Sequence, residues 1–269
     1  MNKKILAVLS SVLVIFGLVA CSNGNHAQNS NSDEHRHHES TFTVGFDASF
    51  PPYGFKQDGE YVGFDLDLAQ EVAKRQGWDL VKQPIDWDSK DAELNAGTVD
   101  CLWNGFTMTG REDKYTFSKP YVNNSIVVVV KADSKIQKAE QLAGKNVIVQ
   151  ADSSGLAALK SDANKSLVTK FGNLTEVPEY DSAFMTLQSG AADAVVVDQP
   201  VASFQLNSRG ADKFRVLEDP IQVEEYGIGF KKGNTQLRDK VQQSLDEMKK
   251  DGTFLKLAKK YEIEDSVIE

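Results

Sequence analysis

The sequence predicts an α/β protein whose ordered part, about residues 41–269, forms two lobes. Short runs rich in β-branched residues alternate with stretches of helical periodicity, which is typical of βαβ units and a largely parallel sheet. This rhythm occurs twice, once before residue 104 and once after residue 145. The length suits two lobes of about 100 residues each, with a ligand pocket between them.

Local patterns predict the individual elements. In the first half, we expect strands near residues 42–46, 79–83 and 99–103, and helices near 63–76 and 88–95. The unbroken β-branched run at 125–131 predicts a buried strand. In the second half, we expect strands near 146–150, 176–180, 194–197 and 226–230, and helices near 154–159 and 182–189. Two helices close the chain, with apolar stripes at Leu237, Val241, Leu245 and Met248, and at Phe254, Leu255, Ala258 and Tyr261.

The first twenty residues have the features of an export signal. Lys3 and Lys4 precede an apolar run that is shorter than the roughly 20 residues of a membrane span. The run ends in Leu-Val-Ala-Cys21, which resembles the lipobox of bacterial lipoproteins. The resemblance implies that residues 1–20 are removed and that Cys21 is lipidated, with palmitate among its acyl chains. A plain signal peptide with an incidental cysteine and a short membrane anchor are the alternatives.

The segment after Cys21 is polar, and we expect residues 21–40 to form a disordered tether. It contains every histidine of the chain, namely His26, His35, His37 and His38. The folded part therefore cannot build a histidine-dependent catalytic unit or a histidine metal site, and we expect no catalytic residue, no resident metal and no cofactor there. Weak metal binding by the histidine cluster in the tether is an alternative.

Charge and cysteine content narrow the function classes further. The net charge of −9 disfavours nucleic acid and anionic lipid as partners. An apolar fraction of 41% is ordinary for a globular protein. If Cys21 is acylated, Cys101 is the single remaining thiol, and its apolar surroundings predict a buried strand residue rather than a nucleophile.

Several stretches together resemble one known family. They are residues 44–53 (VGFDASFPPY), 61–69 (YVGFDLDLA), 97–111, 117–121 (FSKPY) and 251–253 (DGT). Residues 41–261 thereby resemble family 3 extracellular solute-binding proteins, the receptors of ABC importers for polar amino acids. The resemblance implies a type II periplasmic-binding-protein fold, in which two doubly wound sheets are joined by a two-strand hinge near 122–125 and 223–225. Lobe 1 would comprise residues 41–123 and 225–269, and lobe 2 would comprise residues 127–222.

The resemblance also implies capture of a polar L-amino acid, or cystine, by closure of the lobes like a clamp. The ligand carboxylate would meet Arg111, Thr107, Ser153 and Ser154. The ligand ammonium would meet Asp198 and the Gly105 carbonyl. Asp47, Phe50 and Trp87 would contact the ligand side chain, with Asn104 and Phe106 beside them.

Each of these assignments has a simpler alternative in the sequence. Arg111 is also placed to form a surface pair with Glu112 or Asp113, and the aromatic residues are also suited to plain packing. Ser153 fits an ordinary helix N-cap, which is compatible with binding. Asp198, at the end of a strand, fits a turn residue.

The implied partners are an amino acid, the permease subunits of an ABC importer, and the outer face of a bacterial cell membrane through the lipid anchor. We expect a monomer that binds no nucleic acid and is not an enzyme. A same-fold enzyme such as a cyclohexadienyl dehydratase is one alternative, and a sensor or adhesin with the same clamp is another. The identity of the amino acid stays open at this point.

Overall fold

A computed structural model describes residues 40–268 of the chain. The strands are β1 Ser40–Phe46, β2 Ser49–Phe50, β3 Gly54–Gln57, β4 Glu60–Val62, β5 Trp78–Pro84, β6 Cys101–Leu102, β7 Tyr115–Phe117, β8 Val122–Lys131, β9 Asn146–Gln150, β10 Asn173–Val177, β11 Ala194–Asp198, β12 Phe214–Val216, β13 Gln222–Tyr226 and β14 Gly229–Lys231. The α-helices are α1 Phe64–Gln76, α2 Lys90–Ala96, α3 Ser154–Lys160, α4 Lys165–Val168, α5 Tyr180–Ser189, α6 Gln199–Arg209, α7 Thr235–Asp251 and α8 Thr253–Lys260.

Two larger sheets organise these elements. One has the strand order β5-β1-β6-β14-β7, and the other has the order β10-β9-β11-β8-β12, with β13 also paired to β8. We call the part built around the first sheet lobe 1 and the part around the second sheet lobe 2. Strands β8 and β13 pair antiparallel from Val122–Tyr226 to Ile126–Gln222 and connect the two lobes. The predicted two-lobe α/β architecture with a two-strand connection is confirmed, and the exact lobe limits remain a prediction.

The sheets are mixed rather than largely parallel. Strands β5, β1 and β6 are parallel, as are β10, β9 and β11, whereas β14, β7, β8 and β12 run antiparallel to their neighbours. The reason lies in the connections between lobes. Strands β8 and β14 begin next to the connection and run outward, whereas the parallel strands run inward toward it.

Two predicted strands are placed differently in the structure. The strand expected at 176–180 lies at Asn173–Val177, because Pro178 follows it and Tyr180 already begins α5. The strand expected at 226–230 is two strands, β13 and β14, which belong to different sheets. Gly227 lies in the gap between them, where a side chain would meet the Met108 sulfur at 2.7 Å.

The predicted apolar helix faces do lie in the core. In α1, Phe64, Leu68, Val72 and Ala73 are buried, and the helix ends at Gly77 with a left-handed φ of 68°. Helices α7 and α8 bury Val241, Leu245, Met248, Phe254 and Ala258. Burial of each large aliphatic side chain stabilises the fold by about 1.5–3 kcal/mol. These stripes are therefore accounted for by packing, as is Cys101, a fully buried free thiol in β6.

The N-terminal predictions fall outside the described residues. This applies to the export signal over 1–20, to the lipidated Cys21 and to the histidine cluster. Ser40, assigned by sequence to the end of the tether, already pairs with Trp78 in the first sheet. Every helix within residues 40–268 is too short or too polar to cross a lipid bilayer.

Candidate functional site

The carboxyl ends of the parallel strands of both sheets point into the cleft between the lobes. In α/β sheets this is where ligands bind, because loops and side chains converge there. Here β1 leads to Asp47 in lobe 1, and β9 ends at Gln150 in lobe 2. The Gln150 amide donates a 2.6 Å hydrogen bond to the Asp47 carboxylate, so the two lobes touch across the cleft.

Most of the predicted site residues surround one small cavity in the middle of this cleft. Its lining consists of Phe50, Trp87, Asn104, Gly105, Thr107, Arg111, Gln150, Ser153, Ser154 and Asp198. Sequence reasoning named all of these except Gln150. Asp47 lines the neighbouring cavity, and Phe106 is fully buried behind the site. Residues 40–268 contain no group of three or more histidine, cysteine and acidic side chains arranged to hold a metal ion.

Arg111 points across the cleft toward lobe 2. Its guanidinium carbon lies 4.9 Å from the centre of the Phe106 ring, and Nη1 donates to the Thr107 carbonyl at 3.3 Å. The other nitrogen, Nη2, reaches the Asp152 carbonyl of lobe 2 at 3.5 Å. The surface pair with Glu112 or Asp113 is not formed among the described ion pairs. Arg111 is therefore oriented by lobe 1 and presents its charge to the cavity.

The Gly105 loop is held by Asp65 of α1. The Gly105 N–H donates to Asp65 Oδ2 at 2.6 Å, and the Tyr121 hydroxyl donates to the same oxygen at 2.8 Å. Gly105 has a φ of 56°, and a side chain there would lie within 3.0 Å of the Phe50 and Tyr226 rings. Only glycine fits at this position, and Gly105 lines the central cavity. The sequence showed Asp65 only as part of a motif; its positioning role was missed.

Asp47 and Asn104 form one hydrogen-bonded unit on lobe 1. The Asp47 N–H donates to Asn104 Oδ1 at 2.7 Å, and the Ser49 N–H donates to Asp47 Oδ1 at 2.8 Å. Burial raises the pKa of Asp47 to about 6, although the hydrogen bonds from Ser49 and Gln150 oppose this rise. Asp47 therefore lies at the boundary between the central cavity and its neighbour, and its pKa is close to neutral pH.

Ser153 caps helix α3 on lobe 2, as one alternative expected. Its hydroxyl oxygen accepts from the Leu156 N–H at 3.1 Å, and its hydrogen goes to the Gln150 carbonyl at 2.8 Å. The Ser153 hydroxyl hydrogen is therefore used inside lobe 2. Ser153 can offer a carboxylate in the cavity its backbone N–H group, and Ser154 can offer its backbone N–H group and its hydroxyl.

Asp198 ends β11 and is only 2% exposed. Its Oδ1 accepts from Asn124 Nδ2 at 2.7 Å and from the Tyr226 hydroxyl. The same Asn124 nitrogen also donates to Glu224 Oε1 at 2.8 Å. Burial, followed by the neighbouring Glu224 charge, raises the pKa of Asp198 to about 7. Asp198 is thus a buried acid rather than a solvated turn residue.

Glu224 was missed by sequence reasoning, although it contacts a predicted site residue. The Thr107 hydroxyl donates to Glu224 Oε1 at 2.6 Å, which leaves Thr107 with an oxygen lone pair for the cavity. In the structure, Glu224 and Tyr226 lie on the buried face of β13, but the sequence QVEEY does not alternate apolar and polar residues and so gave no signal for this face.

A buried lysine closes the cleft. Lys90 is 2% exposed and forms an ion pair with the Asp152 carboxylate of lobe 2. Its ammonium also lies 5.3 Å from the centre of the Trp87 ring. Burial lowers the pKa of Lys90, and the pairing with Asp152 opposes this effect. This contact joins the two lobes directly.

Comparison with known proteins gives the family. Residues 42–264 match the bacterial extracellular solute-binding proteins, family 3. The chain belongs to this family. Over the whole chain and 98% of its relative, it is 31% identical to the probable amino-acid-binding protein YxeM of Bacillus subtilis (strain 168). It is 29% identical to the L-cystine-binding protein TcyA of the same organism, over 98% of each chain.

A solved structure gives the same result for the fold. It is an ABC uptake transporter substrate-binding protein from Streptococcus pneumoniae with bound histidine. The TM-score is 0.81 at 34% identity, and the match covers 85% of the present chain and 95% of that protein. This match supports the two-lobe fold of the present chain. The sequence identity of 34% also agrees with its family assignment.

Proposed function

We propose that this protein is the extracytoplasmic receptor of an ABC importer and that it captures a polar L-amino acid between its lobes. One observation carries the proposal. The Arg111 guanidinium of lobe 1 and the Asp198 carboxyl of lobe 2 line the same small cavity. An amino acid carries an anionic and a cationic group on one carbon, and burying both requires one partner for each.

The head group is assigned as follows. The ligand carboxylate pairs with Arg111, whose planar fork donates two parallel hydrogen bonds, and with the N–H groups of Ser153 and Ser154. The ligand ammonium pairs with Asp198 and with the Gly105 carbonyl. With the head group placed in this way, the side chain of the ligand points toward Asp47, Phe50 and Trp87. The Phe50 ring lies 6.1 Å from the Tyr180 ring of lobe 2, centre to centre, so aromatic residues of both lobes meet at this side of the site.

The side-chain end of the cleft favours a cationic ligand. The cavity next to the central one is lined by four acidic side chains, Asp47, Asp86, Asp88 and Glu179. Negative walls attract a positive group and repel a negative one. We therefore rank arginine-like side chains above neutral ones, and aspartate and glutamate last.

Closure follows from ligand contacts to both lobes. A ligand shifts an open–closed equilibrium only through its different affinity for the two states. Arg111 and Asp198 belong to different lobes, so both partners of the amino acid are available in the closed state alone. The paired strands β8 and β13 provide the hinge, with residues 41–123 and 225–269 moving against residues 127–222.

The same proposal places the receptor at a membrane. Lipid on Cys21 would hold it at the outer face of the cell membrane, and more than one acyl chain would be needed for stable attachment. The closed receptor, as a monomer, would then dock on its permease subunits. A sensor or adhesin role would use the same clamp and differs only in the partner recognised.

A ligand screen tests the proposal. The purified protein is mixed with each of the twenty protein L-amino acids and with L-cystine, and the thermal midpoint is measured. We expect a stabilising shift with at least one of them, because a ligand that binds only the folded state raises its stability. The ligand should be recovered unchanged. No shift with any of them contradicts the proposal, and dehydration of a cyclohexadienyl acid would favour the enzyme alternative.

A further inference from the structure

Two buried carboxyl groups share one amide at the inner end of the cavity. Asn124 Nδ2 lies 2.7 Å from Asp198 Oδ1 and 2.8 Å from Glu224 Oε1. The exposed fractions of the two acids are 2% and 3%. We call Asp198 and Glu224 the carboxyl pair. Two negative charges bridged by one nitrogen and shielded from water repel each other strongly.

Every hydrogen-bond donor that the described residues direct at the pair is neutral. Asp198 accepts from Asn124 and from the Tyr226 hydroxyl. Glu224 accepts from Asn124, from the Thr107 hydroxyl at 2.6 Å and from Gln222 Nε2 at 3.0 Å. No described ion pair involves either acid. The pair therefore lacks a positive charge when no ligand is present.

We propose that the carboxyl pair holds one proton in the ligand-free protein and that the ammonium group of the amino acid displaces it. The inference rests on the proposed function, because it requires an ammonium group in this cavity. The exchange balances in charge: the pair loses one proton and gains one ammonium, so the buried centre keeps the same net charge. Only the O–H bond breaks, and the proton leaves to solvent.

The geometry assigns the proton to one oxygen. Both donors to Asp198 reach Oδ1, so Oδ2 is the oxygen that we assign first to the proton and then to the ammonium group. Burial and the Glu224 charge raise the pKa of Asp198 to about 7, which agrees with this assignment. Glu224 acts through Asp198 and through the Thr107 hydroxyl, and it is therefore a positioning residue.

The other titratable groups around the pair do not compete for this proton. The phenols of Tyr53, Tyr180 and Tyr226 face it, and burial raises the pKa of each well above its usual value, so all three stay neutral. Asp47 and Arg111 lie on the lobe 1 side of the cleft. The Asp47 carboxylate is bonded to Gln150 and Ser49, and the Arg111 guanidinium to the carbonyls of Thr107 and Asp152.

Proton release on binding tests the inference. The probe is the amino acid that gives the largest shift in a thermal screen of the twenty protein L-amino acids and L-cystine. It is titrated into the full-length protein by calorimetry at pH 6, 7 and 8, in buffers of different ionisation enthalpy. Because the pKa of Asp198 is about 7, the pair carries its proton in roughly half of the molecules at pH 7. We therefore expect release of roughly half a proton per ligand at pH 7 and roughly tenfold weaker binding at pH 6 than at pH 8.

Glu224→Gln and Glu225→Gln form a matched pair of variants. Both remove one charge from β13, but Glu225 is exposed and lies on the opposite face of the strand. We expect Glu224→Gln to lower the proton release at pH 7 by at least half, because the like charge next to Asp198 is gone. Glu225→Gln should behave like the unaltered protein.

The outcomes separate the two proposals. A screen without any binder overturns the proposed function and, with it, this inference. Binding that is independent of pH and releases no proton overturns the inference alone, and this holds from the unaltered protein even if Glu224→Gln does not fold. Equal proton release in Glu224→Gln and Glu225→Gln also overturns it.

Discussion

The two ends of the cleft have opposite charge. At one end, Asp86, Asp88 and Glu179 line a cavity together with Asp47. At the other end, Arg111, Lys114 and Lys160 line a cavity together with a single acid, Asp152. We call these the acidic end and the basic end. The central cavity lies between them and touches both, because Trp87 also lines the acidic end and Arg111 the basic end.

This difference gives the ligand a direction. A zwitterion in the central cavity has its carboxylate drawn toward the basic end and a cationic side chain drawn toward the acidic end. The Lys90–Asp152 ion pair lies between the two ends, because Ala151 lines the acidic end and Asp152 the basic end. The polarity of the cleft, together with this contact between lobes, explains how one small site orients and encloses an amino acid.

The largest effect should come from Arg111→Ala. Removing one partner of a buried charge pair costs about 2–5 kcal/mol of binding, which is roughly 30-fold or more in affinity. The fold should be kept, because Arg111 stands at the edge of the cleft. Calorimetry with the best amino acid of the screen measures the loss, and the thermal midpoint without ligand checks the fold.

Lys114→Ala is the control for this change, since Lys114 is an exposed cation at the same basic end. If Arg111 binds the carboxylate directly, Lys114→Ala should alter affinity less than about threefold. Equal losses in both variants would mean that the general field of the basic end, rather than a direct contact, holds the carboxylate.

A smaller effect is expected from Asp152→Asn. It leaves the buried Lys90 ammonium without its carboxylate partner and so weakens the closed arrangement of the lobes. We expect ligand affinity to fall by roughly fivefold to tenfold, because Asp152 itself is half-exposed and its share of the pair is screened by water. Calorimetry measures the loss. Asp162→Asn serves as the control, because Asp162 is an exposed acid elsewhere in lobe 2. Unchanged affinity in Asp152→Asn would contradict a contribution of the Lys90–Asp152 ion pair to closure.

The smallest effect should come from neutralising the acidic end by Asp86→Asn with Asp88→Asn. Both acids are exposed, so their pull on a ligand is weak and screened by salt. We expect affinity for L-arginine to fall by about twofold to threefold at low ionic strength, while affinity for L-glutamine stays the same. Equal change for both ligands would contradict a charge-based preference of the acidic end.

Sequence reasoning recovered much of the fold because the helices are strongly periodic. The stripe of α1 and the β-branched run of β8 are buried as expected, and the stripes of α7 and α8 are buried except for Leu237, Leu255 and Tyr261, which are partly exposed. It failed where the chain crosses between lobes. Residues 226–230 look like one strand by composition, but Gly227 and Ile228 carry the chain from one sheet to the other, and β-propensity does not record which sheet a residue joins.

The site shows the same division. Asp47 and Asp198 were predicted through the resemblance to the family, and the structure places both at strand ends that meet at the cleft. Glu224 and Asp65 were not identified as part of the site, because each contributes through a hydrogen bond to a residue far away in sequence, namely Thr107 and Gly105. Such contacts depend on the tertiary structure, and no local sequence pattern predicts them. The opposite charges of the two cleft ends could not be predicted from the sequence either, because the acidic and basic residues at each end come from separate segments of the chain.

A crystal structure of the protein with its best amino acid bound would test the central claim most directly. The account predicts the ligand carboxylate within hydrogen-bond distance of Arg111, its ammonium against Asp198 Oδ2, and its side chain directed toward Asp47 and the acidic end. A ligand lying in the reverse direction, or bound outside the cleft, would contradict it.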